Sequence, residues 1–230
     1  MRNPSLLHAV AIAILTMAGA APAWADDVSF SGFAHGSQTV DIKLVSPDVP
    51  VAESVQAGGF STVRNGGPSF VSYCVDVYQT IGFGDAPYGD YSVATGSHVF
   101  ANSSAAVDLA KLFGVAGVVD NAVSEAAFQI AVWEIAYEKS GAYGLAGGSA
   151  TFTGGSADSS GALKLASQWL DALPGAGPGS AFGVLDSPTH QDLIFAPVPE
   201  PSTVFLMVAG MLGLATYASR TGRAPMRRRA

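Results

Sequence analysis

The single cysteine of the chain, Cys74, lies in the segment that most strongly predicts a β-strand, residues 69–79. Side chains alternate along a strand, so Cys74 shares a face with Ser72 and Asp76, away from the more apolar face. Its thiol is either a nucleophile or a small buried residue of the core. A lone cysteine excludes an intrachain disulfide and a multi-cysteine metal site.

A second residue, Gln129, is chemically out of place in the helix predicted over residues 124–139. At about 100° per residue, Gln129 falls on the apolar face with Trp133, roughly opposite Glu134 and Glu138. An unpaired buried amide costs about 1–3 kcal/mol. We therefore expect Gln129 either to hydrogen-bond a strand backbone or to react chemically.

These two segments resemble the thioester domain of bacterial surface adhesins. Tyr73-Cys74-Val75 is followed downstream by Phe128-Gln129-Ile130-Ala131-Val132-Trp133. The second segment reproduces a family motif of glutamine, any residue, alanine, an aliphatic residue and tryptophan. In that family a strand cysteine and a helix glutamine lose ammonia and join as an internal thioester.

The resemblance implies a thioester between Cys74 and Gln129, shielded from water by Tyr73, Tyr78 and Trp133. A nucleophile such as a lysine amine would open it, form an amide and release the thiol. This is a single capture event, so we expect no enzyme and no cofactor. The alternative is a non-reactive structural or carbohydrate-binding matrix protein.

The charge of the chain is unevenly distributed. The net charge is −7, with 18 acidic and 11 basic residues. All acidic residues lie between Asp26 and Glu200, where the net charge is −13, and six basic residues lie outside that window. The acidic body argues against nucleic acid as a partner, and the basic ends indicate processing signals.

The N-terminus has the pattern of a secretory signal peptide over residues 1–25. Arg2 precedes the mostly apolar run of residues 6–17, and Ala23-Trp24-Ala25 forms an A-x-A cleavage site for signal peptidase, with Ala23 and Ala25 as the small residues. The run is too short to span a bilayer.

The C-terminus, residues 198–230, combines three features in a fixed order. Val198-Pro199-Glu200-Pro201 comes first, and the uncharged residues 203–219 then predict a transmembrane helix. A basic stop in residues 220–230 consists of Arg220, Arg223, Arg227, Arg228 and Arg229. Positive charge beside a span stays on the cytoplasmic side.

This C-terminus resembles the PEP-CTERM sorting tail of Gram-negative bacteria. The resemblance implies recognition of Pro199-Glu200-Pro201 by an exosortase, a membrane protease-like enzyme. It also implies a transient inner-membrane anchor, followed by delivery to the cell surface or extracellular matrix, often beside exopolysaccharide in biofilms. Exopolysaccharide or an amine-bearing surface protein is the expected partner.

The mature region, residues 26–197, has the length of one domain. Period-2 patterns predict strands over residues 28–34, 38–45, 69–79, 91–94 and 191–196. Helices are predicted over residues 105–113, 161–173 and the segment from Asn121 or Ser124 to 139, and residues 140–161 predict a Gly/Ser-rich loop. The expected fold class is a β-rich α+β domain, a sandwich or barrel with a small helical subdomain.

Metal sites find little support in the sequence. His35, His98 and His190 are isolated, without paired ligand spacing. Asp76, Asp85 and Asp90 lie near the glycines of residues 82–90 and could bind calcium through oxygen ligands, but they do not follow an EF-hand order. A solvated acidic loop is the favoured interpretation.

Overall fold

A computed structural model describes residues 25–45, 50–84, 86–95, 103–139, 142–155, 159–196 and 210–213. The predicted signal peptide lies outside these residues except for Ala25. The Pro-Glu-Pro motif and the terminal arginines also lie outside them. Of the predicted span over residues 203–219, only residues 210–213 are described, and they are helical.

The domain combines nine strands and three α-helices among the described residues. The strands are β1 Asp26–Phe33, β2 Gln38–Leu44, β3 Val51–Ala57, β4 Phe60–Arg64, β5 Ser69–Cys74, β6 Tyr88–Thr95, β7 Ala150–Gly154, β8 Gly183–Asp186 and β9 Leu193–Phe195. The helices are α1 Ser103–Val115, α2 Ala122–Tyr137 and α3 Ser159–Ala172. A 3-10 turn at Leu173–Gly175 contains Pro174 and follows α3.

Six strands close into an antiparallel barrel in the order β1-β4-β5-β9-β8-β6, with β6 pairing back to β1. Strand β5, which carries Cys74, pairs with β4 on one side and β9 on the other. On the face that it shares with Cys74, Ser72 hydrogen-bonds Thr62 at 2.6 Å, and both side chains are fully buried. The polar face of β5 therefore lies in the core rather than in water.

The remaining strands form a separate sheet in the order β3-β2-β7. The alternation of β2 places Val40, Ile42 and Leu44 in the core. The outward face is polar, as period-2 patterning requires of a half-buried sheet.

Helix α2 is the central element, because it contacts β5 of the barrel and all three strands of the second sheet. The side chain of Asn121 caps it, accepting hydrogen bonds from the backbone N–H groups of Val123 and Ser124 at 3.1 Å. Every residue from Ser124 to Ile135 is buried. A helix enclosed on all sides buries its polar residues together with its apolar ones.

The β-rich prediction with a barrel and a few helices is confirmed. The strand predicted over residues 69–79 is too long, because β5 ends at Cys74. Residues 140–161 are not simply a loop, since β7 pairs there with β2. Strand β7 was missed because its Ala-Thr-Phe-Thr-Gly sequence lies among glycines and serines, which mask a short strand signal.

Among the described residues, no helix combines the length and hydropathy needed to cross a membrane.

Candidate functional site

Cys74 lies where the pairing of β5 changes. On one side the strand continues beside β9, with Cys74 opposite Leu193 and the N–H of Val75 donating to the carbonyl of Asp192 at 2.9 Å. On the other side, β4 begins only at Phe60, which is opposite Ser72. Since N–H groups alternate in direction along a strand, the peptide groups of Cys74 extend past the end of β4.

The side chain of Gln129 fills this gap. Its Oε1 accepts a hydrogen bond from the N–H of Cys74 at 2.8 Å, and its Nε2 donates to the carbonyl of Cys74 at 2.7 Å. Both residues are buried, with Gln129 fully inaccessible and Cys74 2% exposed. The structure therefore brings together the two residues of the predicted thioester and satisfies the amide of Gln129 through the strand backbone.

Two polar groups contact the sulfur of Cys74. The indole Nε1 of Trp133 donates to Sγ at 3.4 Å, and Sγ donates to the carbonyl of Asp76 at 3.1 Å. Burial raises the pKa of the Cys74 thiol well above its usual range, while the hydrogen bond from Trp133 opposes that shift. The thiol is consequently neutral and protected from water.

A cavity of about 380 Å³ adjoins Cys74 and Trp133. Phe33, Phe60 and Phe83 line it, and their ring centroids lie 5.3–5.7 Å apart. Polar side chains, among them Glu53, Gln79 and Gln191, also line it, so the cavity offers both apolar and polar contacts to a small molecule.

The three residues predicted to shield the site occupy different positions. Trp133 is 4% exposed and contacts the sulfur. Tyr73 lies on the opposite face of β5, where its ring is 4.4 Å from that of Phe128. Tyr78 follows the strand, is 43% exposed and packs edge-on against Tyr137. Of the three, Trp133 is the one in direct contact with Sγ.

A buried glutamate that the sequence analysis did not single out lies beside Tyr73. Glu125 is fully buried, and its Oε1 is 2.5 Å from Nδ1 of His35. Burial and the negative charge of Glu125 raise the pKa of the Tyr73 hydroxyl. A carboxylate in the first turn of a helix also lies where the helix dipole favours negative charge.

Glu134 and Glu138, which helical periodicity placed opposite Gln129, are buried rather than solvated. Glu134 Oε1 accepts the N–H of Gly144 at 2.6 Å, and Glu138 Oε2 accepts the N–H of Ser149 at 2.7 Å. The two carboxylates thus fix the glycine-rich segment before β7 onto α2. Burial, opposed by the bond from Gly144, raises the pKa of Glu134 to about 7.

His190 and Asp90 form another polar cluster, with His190 Nδ1 3.0 Å from Asp90 Oδ2. Ser187 donates to the same carboxylate at 2.8 Å and lies 3.5 Å from the imidazole. This cluster ties β6 to the β8–β9 connection.

No group of three or more histidine, cysteine or acidic side chains in the described ranges is arranged to hold a metal ion. His98 and Asp85 lie outside those ranges.

Comparison with known families identifies the C-terminal signal. Residues 197–223 match the model of the PEP-CTERM protein-sorting motif. The predicted sorting tail is thereby confirmed, and it implies an exported surface protein that an exosortase-type membrane enzyme processes. A comparison with curated proteins finds no match.

The solved structures that are similar to this chain include two domains of Streptococcus pyogenes proteins. One is the N-terminal domain of the pilus tip adhesin Cpa, with a TM-score of 0.44 and 11% identity, covering 77% of this chain and 97% of that one. The other is the N-terminal thioester domain of the fibronectin-binding protein SfbI, with a TM-score of 0.42 and 11% identity, covering 77% of this chain and 96% of that one.

Proposed function

We propose that this exported protein carries an internal thioester between Cys74 Sγ and Gln129 Cδ and uses it to capture an amine covalently. The observation that carries the proposal is the contact between these residues. The amide of Gln129 lies against the main chain of the residue that bears the only thiol.

Thioester formation is an acyl transfer within the core. The sulfur of Cys74 attacks Cδ of Gln129, the S–C bond forms, and the C–N bond to Nε2 breaks. The thiol proton passes to the departing nitrogen, which leaves as ammonia. The N–H of Cys74, 2.8 Å from Oε1, is placed to stabilise negative charge that develops on that oxygen.

The same reaction removes a hydrogen-bond donor from the core. Nε2 is the atom that donates to the carbonyl of Cys74, and it departs with the ammonia. The reaction exchanges the amide C–N bond for a less stable thioester S–C bond and also loses this hydrogen bond, so release of ammonia into dilute solution is what favours the product.

In the capture step nitrogen is the nucleophile and sulfur is the leaving group, the opposite of thioester formation. A primary amine attacks Cδ, an amide N–C bond forms, and the S–C bond breaks to restore the Cys74 thiol. The amine loses a proton and the sulfur gains one, so no oxidant or cofactor is required. Each molecule reacts once, which makes the protein a covalent adhesin rather than an enzyme.

Water exclusion is the physical requirement for such a bond to persist. Cys74 and Gln129 are buried, and both phenylalanines and polar side chains line the adjoining cavity. We expect a small amine to approach Cys74 through this cavity, while the burial of Cys74 and Gln129 limits the access of competing water.

Sorting supplies the setting for this chemistry. We propose that an exosortase removes the tail after Pro199-Glu200-Pro201 is recognised at the inner membrane, and that the mature protein joins the cell surface or biofilm matrix. Exopolysaccharide and amine-bearing surface proteins are the partners within reach there.

Treatment of the purified exported protein with methylamine tests the reactive function. We expect each molecule to gain one methylamine on the peptide that contains Gln129 and to expose one titratable thiol. The Cys74→Ala variant provides the control and should take up none. Unlabelled wild-type protein with a thiol present from the start would refute the proposal.

A second candidate is a non-reactive structural or carbohydrate-binding matrix protein. One observation favours it. The oxygen and the nitrogen of the Gln129 amide both hydrogen-bond the main chain of Cys74, which is a sufficient structural reason for a buried glutamine. If this second candidate is right, the mass of the processed protein equals that of the unmodified sequence.

A further inference from the structure

We propose that Trp133 is a catalytic residue of the thioester chemistry, because its indole N–H stabilises the sulfur of Cys74 as negative charge develops there. This inference rests on the proposed function and assigns a role in it to a residue whose sequence position suggested only shielding. The atom concerned is Nε1, which lies 3.4 Å from Sγ.

The position of the indole is fixed by the fold. Trp133 is 4% exposed on the central helix α2, and its ring stacks on Phe152 of β7, with centroids 6.5 Å apart and planes inclined by 3°. A buried indole N–H needs an acceptor. Here that acceptor is the sulfur itself, one helical turn from Gln129 on the same helix.

The surroundings of the sulfur otherwise oppose negative charge. Burial is the largest influence that raises the pKa of Cys74, and the carboxylates of Asp76 and Asp192 add to it. Hydrogen bonding from Trp133 is the largest influence in the opposite direction, followed by that from Gln191. A fixed neutral donor in a low-dielectric site strongly stabilises an anion that forms beside it.

Negative charge develops on the sulfur both when the thioester forms and when an amine opens it. Formation requires the thiol to lose its proton as the S–C bond to Gln129 forms. Capture requires the sulfur to accept the electron pair of that bond as it breaks and then to take up the proton that the amine releases. The Trp133 N–H acts on both steps, since it contacts the atom on which the charge appears.

The chain supplies a matched pair of substitutions. Trp133→Phe removes the N–H and keeps an aromatic ring. Trp169→Phe does the same at a buried tryptophan on another helix, where the ring packs against Phe128. We expect the exported Trp133→Phe protein to capture methylamine roughly tenfold or more slowly than wild type, the size expected when a hydrogen bond to an ionised group is lost. Trp169→Phe should react at the wild-type rate.

A second replacement covers the case in which Trp133→Phe does not fold. Benzothienylalanine at position 133 keeps the shape of indole but has no N–H, and we expect the same slow capture. The proton resonance of the Trp133 indole N–H should also shift when methylamine opens the thioester, while that of Trp169 should not.

The outcomes separate the two proposals. Wild-type protein that never loses ammonia contradicts the proposed function itself. Protein that forms the thioester, and whose variants at position 133 capture methylamine as fast as Trp169→Phe, contradicts the role of Trp133 alone.

Discussion

The side chain of Gln129 hydrogen-bonds the main chain of Cys74 just beyond the point where β4 ceases to pair with β5. Its amide oxygen and nitrogen lie 2.8 Å and 2.7 Å from the main-chain nitrogen and oxygen of Cys74. The side chain thus replaces one residue of a missing strand. The same contact holds the amide of Gln129 against the main chain of the residue that bears the only thiol of the chain.

Removing the Gln129 amide should destabilise the fold even where no thioester can form. In a Cys74→Ala background, Gln129→Leu leaves a buried N–H and a buried carbonyl without their partner. Each such group costs about 1–3 kcal/mol, so we expect the free energy of unfolding to fall by about 2–5 kcal/mol. Urea denaturation measures this. The exposed Gln56→Leu serves as the control and should cost under about 1 kcal/mol; an equal cost at both positions would contradict the interpretation.

The buried carboxyl group of Glu134 should make stability depend on pH. Its pKa is raised from 4.5 to about 7, so the folded state holds the proton more tightly than the unfolded chain. The stabilisation is complete below about pH 4.5 and is lost as the pH rises through about 7. Relative to Glu134→Gln, wild-type protein should lose about 1–3 kcal/mol of unfolding free energy between pH 5 and pH 8.

The comparison with Glu134→Gln separates this effect from that of Asp192, whose pKa burial also raises, to about 6. Both proteins retain Asp192, so its contribution cancels in the difference. Urea denaturation at the two pH values gives the result. A difference between wild type and variant that does not change with pH would show that Glu134 titrates normally.

Position 148 should accept only glycine, because a side chain there would collide with Glu138. Gly148 has a φ of +97°, and a Cβ there would overlap the carboxylate of Glu138. We expect Gly148→Ala to lower the free energy of unfolding by roughly 2 kcal/mol or more. Gly147→Ala is the matched control, because a Cβ at Gly147 meets nothing within 4 Å. Similar melting temperatures for the two variants would contradict the described packing.

The sorting motif should determine the final location of the protein. Replacing Pro199, Glu200 and Pro201 by alanines should leave the tail attached and the protein in the membrane fraction. Cell fractionation with intact-mass analysis of the product tests this, and Ser202→Ala is the control. Unchanged tail removal and surface delivery in the triple variant would exclude recognition of this motif.

Local sequence patterns predicted much of the fold. Alternation located β1 and β2, and helix-capping residues located α1 and α2 within a few positions. The pattern missed β3, β4 and β8. It also missed β7, a five-residue strand among glycines and serines that pairs with β2. Such a strand is determined by its tertiary partner, which no local window contains.

Part of the site was predictable, and part was not. The misplaced polarity of Gln129 and the solitary thiol marked the two residues, but their contact required long-range folding. The burial of Glu125, Glu134 and Glu138 was hidden because α2 is enclosed on all sides, whereas periodicity assumes one solvated face. The available signal was three glutamates within 14 residues, two on α2 and Glu138 at its C-cap.

The intact mass of the untreated, exported protein tests the central claim most directly. We predict a mass lower by one ammonia than that of the processed sequence, and the Cys74→Ala variant should have the full mass of its own sequence. A wild-type mass equal to that of the unmodified chain, with Cys74 freely alkylated after denaturation, would contradict the thioester and leave Gln129 with a structural role.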